Sequence, residues 1–448
     1  MLSAKDALEL AAHAIAFTPA DEAEALVSAE QNALTRFANN RINQNVAEQN
    51  VTLSVRAVVD RRVGVAGTDR MDERSIKACC DAAVAAARVA PEDPAFPGLP
   101  QATATAAAAA RPFDRAHAGG RGFDAETRAE AVAAMVDAAR SYGLTAAGKV
   151  RSAINVLAVA NSQGIGAAGT ISGIQATVLA AGAGTGWASF LGRDASGFDP
   201  AALGIQAAGL AIRSANPGTL DAGTYPVVLA PEAVADILDF LAYTGFSAKA
   251  YAEERSFMSK HVGDELMSPL VTIFDDALAP HALGMAFDYE GVPKKRVVLI
   301  ENGIVRTPVT DSYWAARTNT ENTGHALPAP NQFGPMPLDL EMAAGDATGE
   351  ELVARVKRGV YVTRFHYVNV EDPIRVTITG MTRDGTFLIE DGRLTRPLKN
   401  LRFTQSAIDA LRSCTGVSST RQFVGTEESA TLVPTILCEE FAITGQTR

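Results

Sequence analysis

Apolar residues recur at helical spacing from Ala4 to Phe17, with Ala7, Leu8, Ala11, Ala14 and Ile15 near one face, so the chain is predicted to begin with a helix. From Glu24 to Gly67 the period falls to two. Ala33 to Phe37, then Val51, Leu53, Val55 and Ala57, then Val63 and Val65 beyond the polar turn Asp60-Arg61-Arg62, predict an antiparallel meander. Asp72 is placed to cap a second helix that runs through Val89 and stops before Pro91, and the two patterns together imply helix packed on sheet. Pro91, Pro94, Pro97 and Pro100 lead into Gln101 to Ala110, almost all Ala and Thr, which reads as a surface connector.

Asp124 is the next N-cap, for a helix to about Ser141 with Gly143 suited to its end. Ile154 to Ala160 and Ile171 to Ala181 read as strands around a turn near Gly164 and Gly166, and are expected to start a second sheet system. A short helix around Pro200 to Ser214, a strand from Tyr225 to Leu229, and a helix from Glu232 to Thr244 opened by Pro231 come next, with strand-rich sequence to the end. Within it, Ile300 to Val309 and Ile389 to Leu398 share Ile, Glu, Gly and Pro in register and read as hairpins turning at Asn302-Gly303 and Asp391-Gly392. Recurring hairpin chemistry explains the similarity, with internal duplication as the alternative.

The expected fold class is α+β: an N-terminal helix-and-antiparallel-sheet domain over 1–100, a connector and middle α/β region over 101–220, and a β-rich C-terminal domain over 221–448. The length of 448 residues agrees, since it corresponds to two or three domains at roughly 150 residues each. Lys and Arg number 40 against 51 Asp and Glu, a net charge of −11, which disfavours nucleic acid as the main ligand. Cys79, Cys80, Cys414 and Cys438 include no CxxC pair and fit a reducing cytoplasm. Lys5, Asp6, Glu9 and His13 interrupt the N-terminal apolar pattern, so no secretion signal is expected. Ile171 to Leu191 is too rich in glycine for a membrane helix and reads as sheet.

Candidate chemistry is sparse. The six histidines, His13, His117, His261, His281, His325 and His366, are far apart, and none is followed by Glu, so no local zinc motif forms. Asp275, Asp276 and His281 are the best remaining metal donors, but they read as a polar turn after a strand. No Gly-x-Ser-x-Gly elbow occurs, and Cys414 has no histidine near it in sequence. Gly164, Gly166 and Gly169 make a Gly-x-Gly-x-x-Gly followed by strand-like sequence, hence a turn and not a dinucleotide site. His325 and His366 read as structural histidines with potential peptide-contacting groups around them. The Gly-rich stretch Gly182 to Gly186 is a candidate for accepting an extended peptide by strand addition.

Several segments taken in order carry a family resemblance: Thr35-Arg-Phe-Ala-Asn-Asn40, Val63-Gly-Val-Ala, Ser268-Pro-Leu-Val-Thr-Ile273, Asp288-Tyr-Glu-Gly-Val-Pro293 and Ile300-Glu-Asn-Gly303, followed by Thr323-Gly-His325, Gly359-Val-Tyr-Val362 and Phe387-Leu-Ile-Glu-Asp-Gly392 with Pro397. Over nearly its whole length the chain resembles the TldD/PmbA family, whose TldD members are metalloproteases and whose TldE (PmbA) members are their partners. In TldD-type members a His-Glu-x-x-x-His helix follows a strand and a Pro-Glu-Ala segment, which corresponds here to Val227-Val-Leu-Ala-Pro-Glu-Ala233. Counting on, Asp239 stands for the first His, Phe240 for the Glu and Thr244 for the second His, and Phe240 cannot activate water. The family's additional cysteine ligand has no clear counterpart around Val417 to Gln422, where Ser418 and Ser419 stand, with Cys414 slightly upstream.

The resemblance implies a cytoplasmic TldE/PmbA-like subunit without a zinc motif or cofactor of its own, paired with a TldD-like metalloprotease that carries the zinc. Such a subunit would bind or position an unfolded peptide, with His325, His366 and Tyr243 as substrate-binding candidates. A homodimer is a further assembly in keeping with the family. Two other readings stand beside it: a metallopeptidase active alone through Asp239 and distant His or Cys groups, and a non-proteolytic interaction protein in keeping with the family's older label as modulators of DNA gyrase.

Overall fold

Ser3 and Asp72 each accept a backbone N–H three residues on, and so cap α1 (Ala4–Ala16) and α2 (Glu73–Val89). Between these helices lie β1 (Glu22–Ala38), β2 (Arg41–Val59) and β3 (Arg62–Thr68). The computed structural model describes residues 2–102, 113–116 and 123–447, so the connector expected over 101–110 lies almost wholly outside the described residues, as does His117. The two-residue strand β4 (Phe113–Asp114) precedes α3 (Ala125–Ser141), which Asp124 caps, and then β5 (Thr145–Asn161), β6 (Gly166–Ala181), β7 (Thr185–Gly192) and α4 (Pro200–Arg213).

β1 and β2 are longer than the alternation predicts, because the hairpin continues to Asn39 and Asn40, both at positive φ (52° and 61°). The far half of β2, Arg41 to Asn50, is mostly exposed and polar, so it lacks the one-sided apolar signal that reveals a strand. A second difference is larger. β5 and β6 do not begin a new sheet: β5 pairs antiparallel with β1 from Glu24↔Asn161 to Phe37↔Gly148, giving the order β3-β2-β1-β5-β6-β4 with β7 also on β6. Periodicity reports that a segment is a strand but not its partner. The near-continuous burial of β5 from Ser152 to Asn161 is what a central strand with both faces covered requires.

The C-terminal half comprises β8 (Gly223–Leu229), α5 (Pro231–Thr244), α6 (Ala248–Ala252), β9 (Ile273–Asp275), β10 (Val297–Glu301), β11 (Ile304–Val305), α7 (Ser312–Thr318) and β12 (Asp339–Met342). It continues through α8 (Gly349–Ala354), β13 (Arg358–Asp372), β14 (Thr377–Glu390), β15 (Arg393–Pro397), β16 (Leu401–Ser406), α9 (Ala407–Arg412), β17 (Cys414–Gly425) and β18 (Ala430–Gln446). The sheet order is β11-β10-β9-β12-β18-β16-β14-β13-β8, and β18 pairs again with β8, so the last five strands close on themselves. Phe365, Phe403 and Phe441 meet in their core, with ring centroids 4.4 and 5.4 Å apart for Phe365–Phe403 and Phe403–Phe441. Both predicted hairpins form: Asn302-Gly303 and Asp391-Gly392 turn with all four residues at positive φ, as a type I′ turn demands. The α+β class is therefore observed. No helix among the described residues is long and apolar enough to cross a membrane.

Salt bridges join the halves. Arg56 on β2 binds Glu24 (2.7 Å) and, from the C-terminal half, Glu290 (3.1 Å). Arg151 on β5 binds Glu427 (2.8 Å), which also accepts from Asn155 (2.9 Å). Arg115 donates to the carbonyls of Ala277 (2.7 Å) and Gly284 (3.1 Å).

The Gly-rich start of β7 answers to packing. A Cβ on Gly186 would lie 2.2 Å from the Ala207 carbonyl oxygen, so α4 sits directly on the strand backbone there. Gly209, on α4 itself, has nothing within 4 Å of a built Cβ. Gly186→Ala should destabilise the chain by about 1–3 kcal/mol, whereas Gly209→Ala should stabilise it by about 1 kcal/mol. Urea-unfolding midpoints of the two variants against the parent check both signs.

Candidate functional site: the motif helix and the cleft around it

β8 runs into Ala230, and Pro231 opens α5 with its φ already helical. Glu232, Asp236 and Asp239 follow at helical spacing on one stripe, while Ala233, Val234, Ile237, Leu238 and Leu241 are buried in the core of the C-terminal half. The stripe looks toward β7, β17 and β18. Ser189 of β7 donates to Glu232 and receives a bond from Gln422 Nε2 (3.2 Å), and Thr431 Oγ1 donates to Asp239 Oδ1 (2.9 Å). Next to them Arg364 stacks on Trp187 at 4.2 Å and is held by Asp384 through Nε (2.9 Å).

Within this stripe Asp236 bears the cost of burial and of its carboxylate neighbours. Burial first, then Asp239 and Glu232, push the Asp236 carboxyl up to about 7 against the pull of Arg364. Asp239 retains solvent access, but the protein around it raises its pKa too, with the Thr431 bond only partly offsetting. Phe240 is partly buried against the core, and the buried Thr244 returns its hydroxyl to the Phe240 carbonyl (2.7 Å). Tyr243 is 56% exposed and its ring lies 6.1 Å from that of Phe333, itself 60% exposed.

The other predicted residues lie elsewhere. His325 is buried, its Nε2 3.0 Å from Asp275 and its Nδ1 3.0 Å from Thr323 Oγ1. Asp275 is held below the usual carboxylate range: burial opposes this, but His325 and Lys294 prevail. Lys294 pairs with Asp339 at 2.7 Å, and this polar group borders a cavity of about 40 Å³ between the two halves, where Asn155 Oδ1 has no protein partner. A cavity of that size has room for one or a few waters. His366 is half-buried on β13, its pKa lowered by burial and then by Arg383 and Arg364. The structure brings Tyr243 together with Asp239 and Phe240 on α5, but gives His325 and His366 separate neighbours. Asp275, Asp276 and His281 also part ways: Asp275 to His325, Asp276 to Arg296 (3.5 Å), and His281 to Glu341 (2.8 Å). Among the described residues no group of three or more His, Cys, Asp or Glu is placed to hold a metal ion. Sequence reading missed Asp236, Glu290 and Arg56; the acidic spacing of Glu232, Asp236 and Asp239 was available as a signal, the long-range clasp was not.

Residues 222–445 match the profile of the PmbA/TldA metallopeptidase C-terminal domain, and residues 23–87 match that family's domain 1. The chain belongs to the PmbA/TldD family. A metalloprotease TldD homologue of Haemophilus influenzae is 28% identical over 200 residues, 44% of this chain and 41% of that protein. The matches span 40% to 51% of the length of the first curated relatives. The crystal structure of TldE from Thermococcus kodakarensis superposes with a TM-score of 0.85 at 20% identity, covering 99% of this chain and 100% of that one. A candidate modulator of a DNA gyrase from Thermotoga maritima gives 0.84 at 19% identity over 97% and 99%. At such identities the likeness establishes the fold.

Zinc takes Cys, His, Asp or Glu donors, and the question is whether the three positions that the resemblance sets against the zinc motif offer a set of them. They do not. Phe240 offers no donor, Thr244 spends its hydroxyl on its own helix, and Asp239 alone faces outward as a potential ligand.

The raised pKa of Asp236 has a signed consequence. The folded state favours the protonated form, so its contribution to stability is full below the unfolded value near 4 and is lost as pH rises through about 7. Asp236→Asn should therefore melt higher than the parent at pH 8, with the gap narrowing as pH falls from 7 toward 4. Thermal melts across that range check it.

Proposed function

We propose that this chain is a non-catalytic, TldE-like subunit of a TldD/TldE-type metalloprotease, which binds or positions an unfolded peptide for a TldD-like partner that carries the zinc. The observation that carries this reading is the state of α5: of Asp239, Phe240 and Thr244, which the resemblance sets against the family's ligand and base positions, two are engaged in packing and in the helix's own hydrogen bonds. Around them lies a surface suited to contact and not to water activation, with Tyr243 and Phe333 exposed beside the acidic stripe. The subunit's contribution is then geometric. Holding an extended chain beside a reactive centre removes much of the entropic cost of bringing the two together. The metalloprotease relatives and the TldE fold neighbour support the partner class, and the absence of a membrane-crossing helix among the described residues is in keeping with the cytoplasmic setting proposed for it.

The test combines elemental analysis of the purified chain with cleavage of an unstructured peptide before and after adding a TldD-like partner. The expected result is no stoichiometric zinc, no cleavage by the chain alone, and cleavage with an intact partner. Stoichiometric zinc with chelator-sensitive cleavage by the isolated chain overturns the proposal.

A further inference from the structure

The β2–β3 hairpin turns at Asp60 and Arg61, both at positive φ (49° and 58°), a two-residue turn of the type I′ kind. In such a hairpin the flanking residues, here Val59 and Arg62, exchange both main-chain hydrogen bonds, and the pattern then alternates along the ladder. Gly64, opposite Ala57, therefore bonds to β2, whereas Val63, opposite Val58, and Val65, opposite Arg56, turn their N–H and C=O groups away from it. β3 is the end strand of its sheet, and these outward groups have no hydrogen-bond partner among the described residues.

Edge strands are ordinarily blunted by proline, bulges, inward charges or a covering element. β3, Arg62-Val-Gly-Val-Ala-Gly-Thr68, carries none of these beyond the arginine at its turn. α2 covers one face only: a Cβ on Gly64 would lie 2.2 Å from Ala87 N, so that helix rests on the strand backbone. The side bearing Val63 and Val65 opens into a groove of about 790 Å³, walled opposite by Phe96, Trp314 and Arg317. Its charges are mixed, Asp93, Glu253 and Asp311 against Lys249 and Arg317, which selects against a uniformly charged ligand such as nucleic acid.

We propose that the outer edge of β3 is a docking strand for an extended polypeptide segment, which adds to the sheet through the main-chain groups of Val63 and Val65. The two residues are about 7 Å apart along the strand, the repeat of alternate residues in an extended chain. Recognition runs through main chain, so the site accepts many sequences, with Phe96 and Trp314 supplying apolar contact for side chains on one side. This rests on the peptide-positioning role proposed above and names the surface that performs it.

The test measures binding of a dye-labelled unstructured peptide to the full chain by fluorescence anisotropy. Val65→Pro removes only an outward N–H, a position where a sheet tolerates proline, and should weaken binding by about tenfold, the worth of one or two main-chain hydrogen bonds. Val65→Thr should bind as the parent does. As an arm independent of the variant's folding, the same peptide N-methylated at alternate residues should lose about as much affinity for the parent protein. No binding by the parent, or equal binding by parent and Val65→Pro together with indifference to N-methylation, overturns the docking strand. Partner-dependent cleavage, assayed on the same samples, separates the two proposals: cleavage that persists while binding ignores the edge leaves the subunit role standing, and edge-dependent binding without partner-stimulated cleavage leaves only the docking strand.

Discussion

Two arginines of the first sheet, Arg56 and Arg151, reach across to carboxylates of the second half, and the relation between the halves depends on them. Each is partly buried and each faces more than one acceptor: Arg56 holds Glu24 as well as Glu290, and Arg151 holds Glu30 as well as Glu427. A buried charge stripped of its partner costs about 3–5 kcal/mol, so these contacts fix register between the halves more strictly than they add net stability. One guanidinium cannot fully neutralise two carboxylates, and burial together with Glu290 pushes Glu24 up to about 7 despite Arg56. Backbone makes room for the second contact, since a Cβ on Gly173 would lie 2.6 Å from the Glu427 Cβ.

With the halves so held, the surfaces around the clasp follow. The acidic stripe of α5 is brought against β7, whose Ser189 answers Glu232, and the groove along β3 is bounded on its far side by Trp314 and Arg317 of α7. Neither surface exists within one half alone. Glu290 contributes to both the clasp and the packing of α7, because Ser312 at the start of that helix donates its hydroxyl to the same carboxylate.

Legibility in the sequence divides along the range of the interactions. The caps at Asp72 and Asp124, the Asn302-Gly303 and Asp391-Gly392 turns, and the helix opened by Pro231 each depend on residues within a few positions, and all appear where spacing places them. What local pattern could not disclose was partnership: that β5 lies beside β1, that Arg56 meets Glu290 at a separation of 234 residues, or that Asp275 is the neighbour of His325. The glycines near β7 show the ambiguity in the other direction. Small residues invite a bound peptide on paper, but here they admit a helix.

The return bond from Thr244 to the Phe240 carbonyl also bears on how the motif helix could change. Thr244 is 7% exposed and Phe240 leans on the surrounding core, so an imidazole in place of Thr244 would need space already filled, and a carboxylate in place of Phe240 would forfeit apolar contact. Replacements at these two positions would each meet a packing penalty before any coordination could repay it, whereas the outward-facing Asp239 has no such barrier. The helix is thus held by a steric ratchet at Phe240 and Thr244: turning it into a metal-binding element requires both to be replaced together with their surroundings.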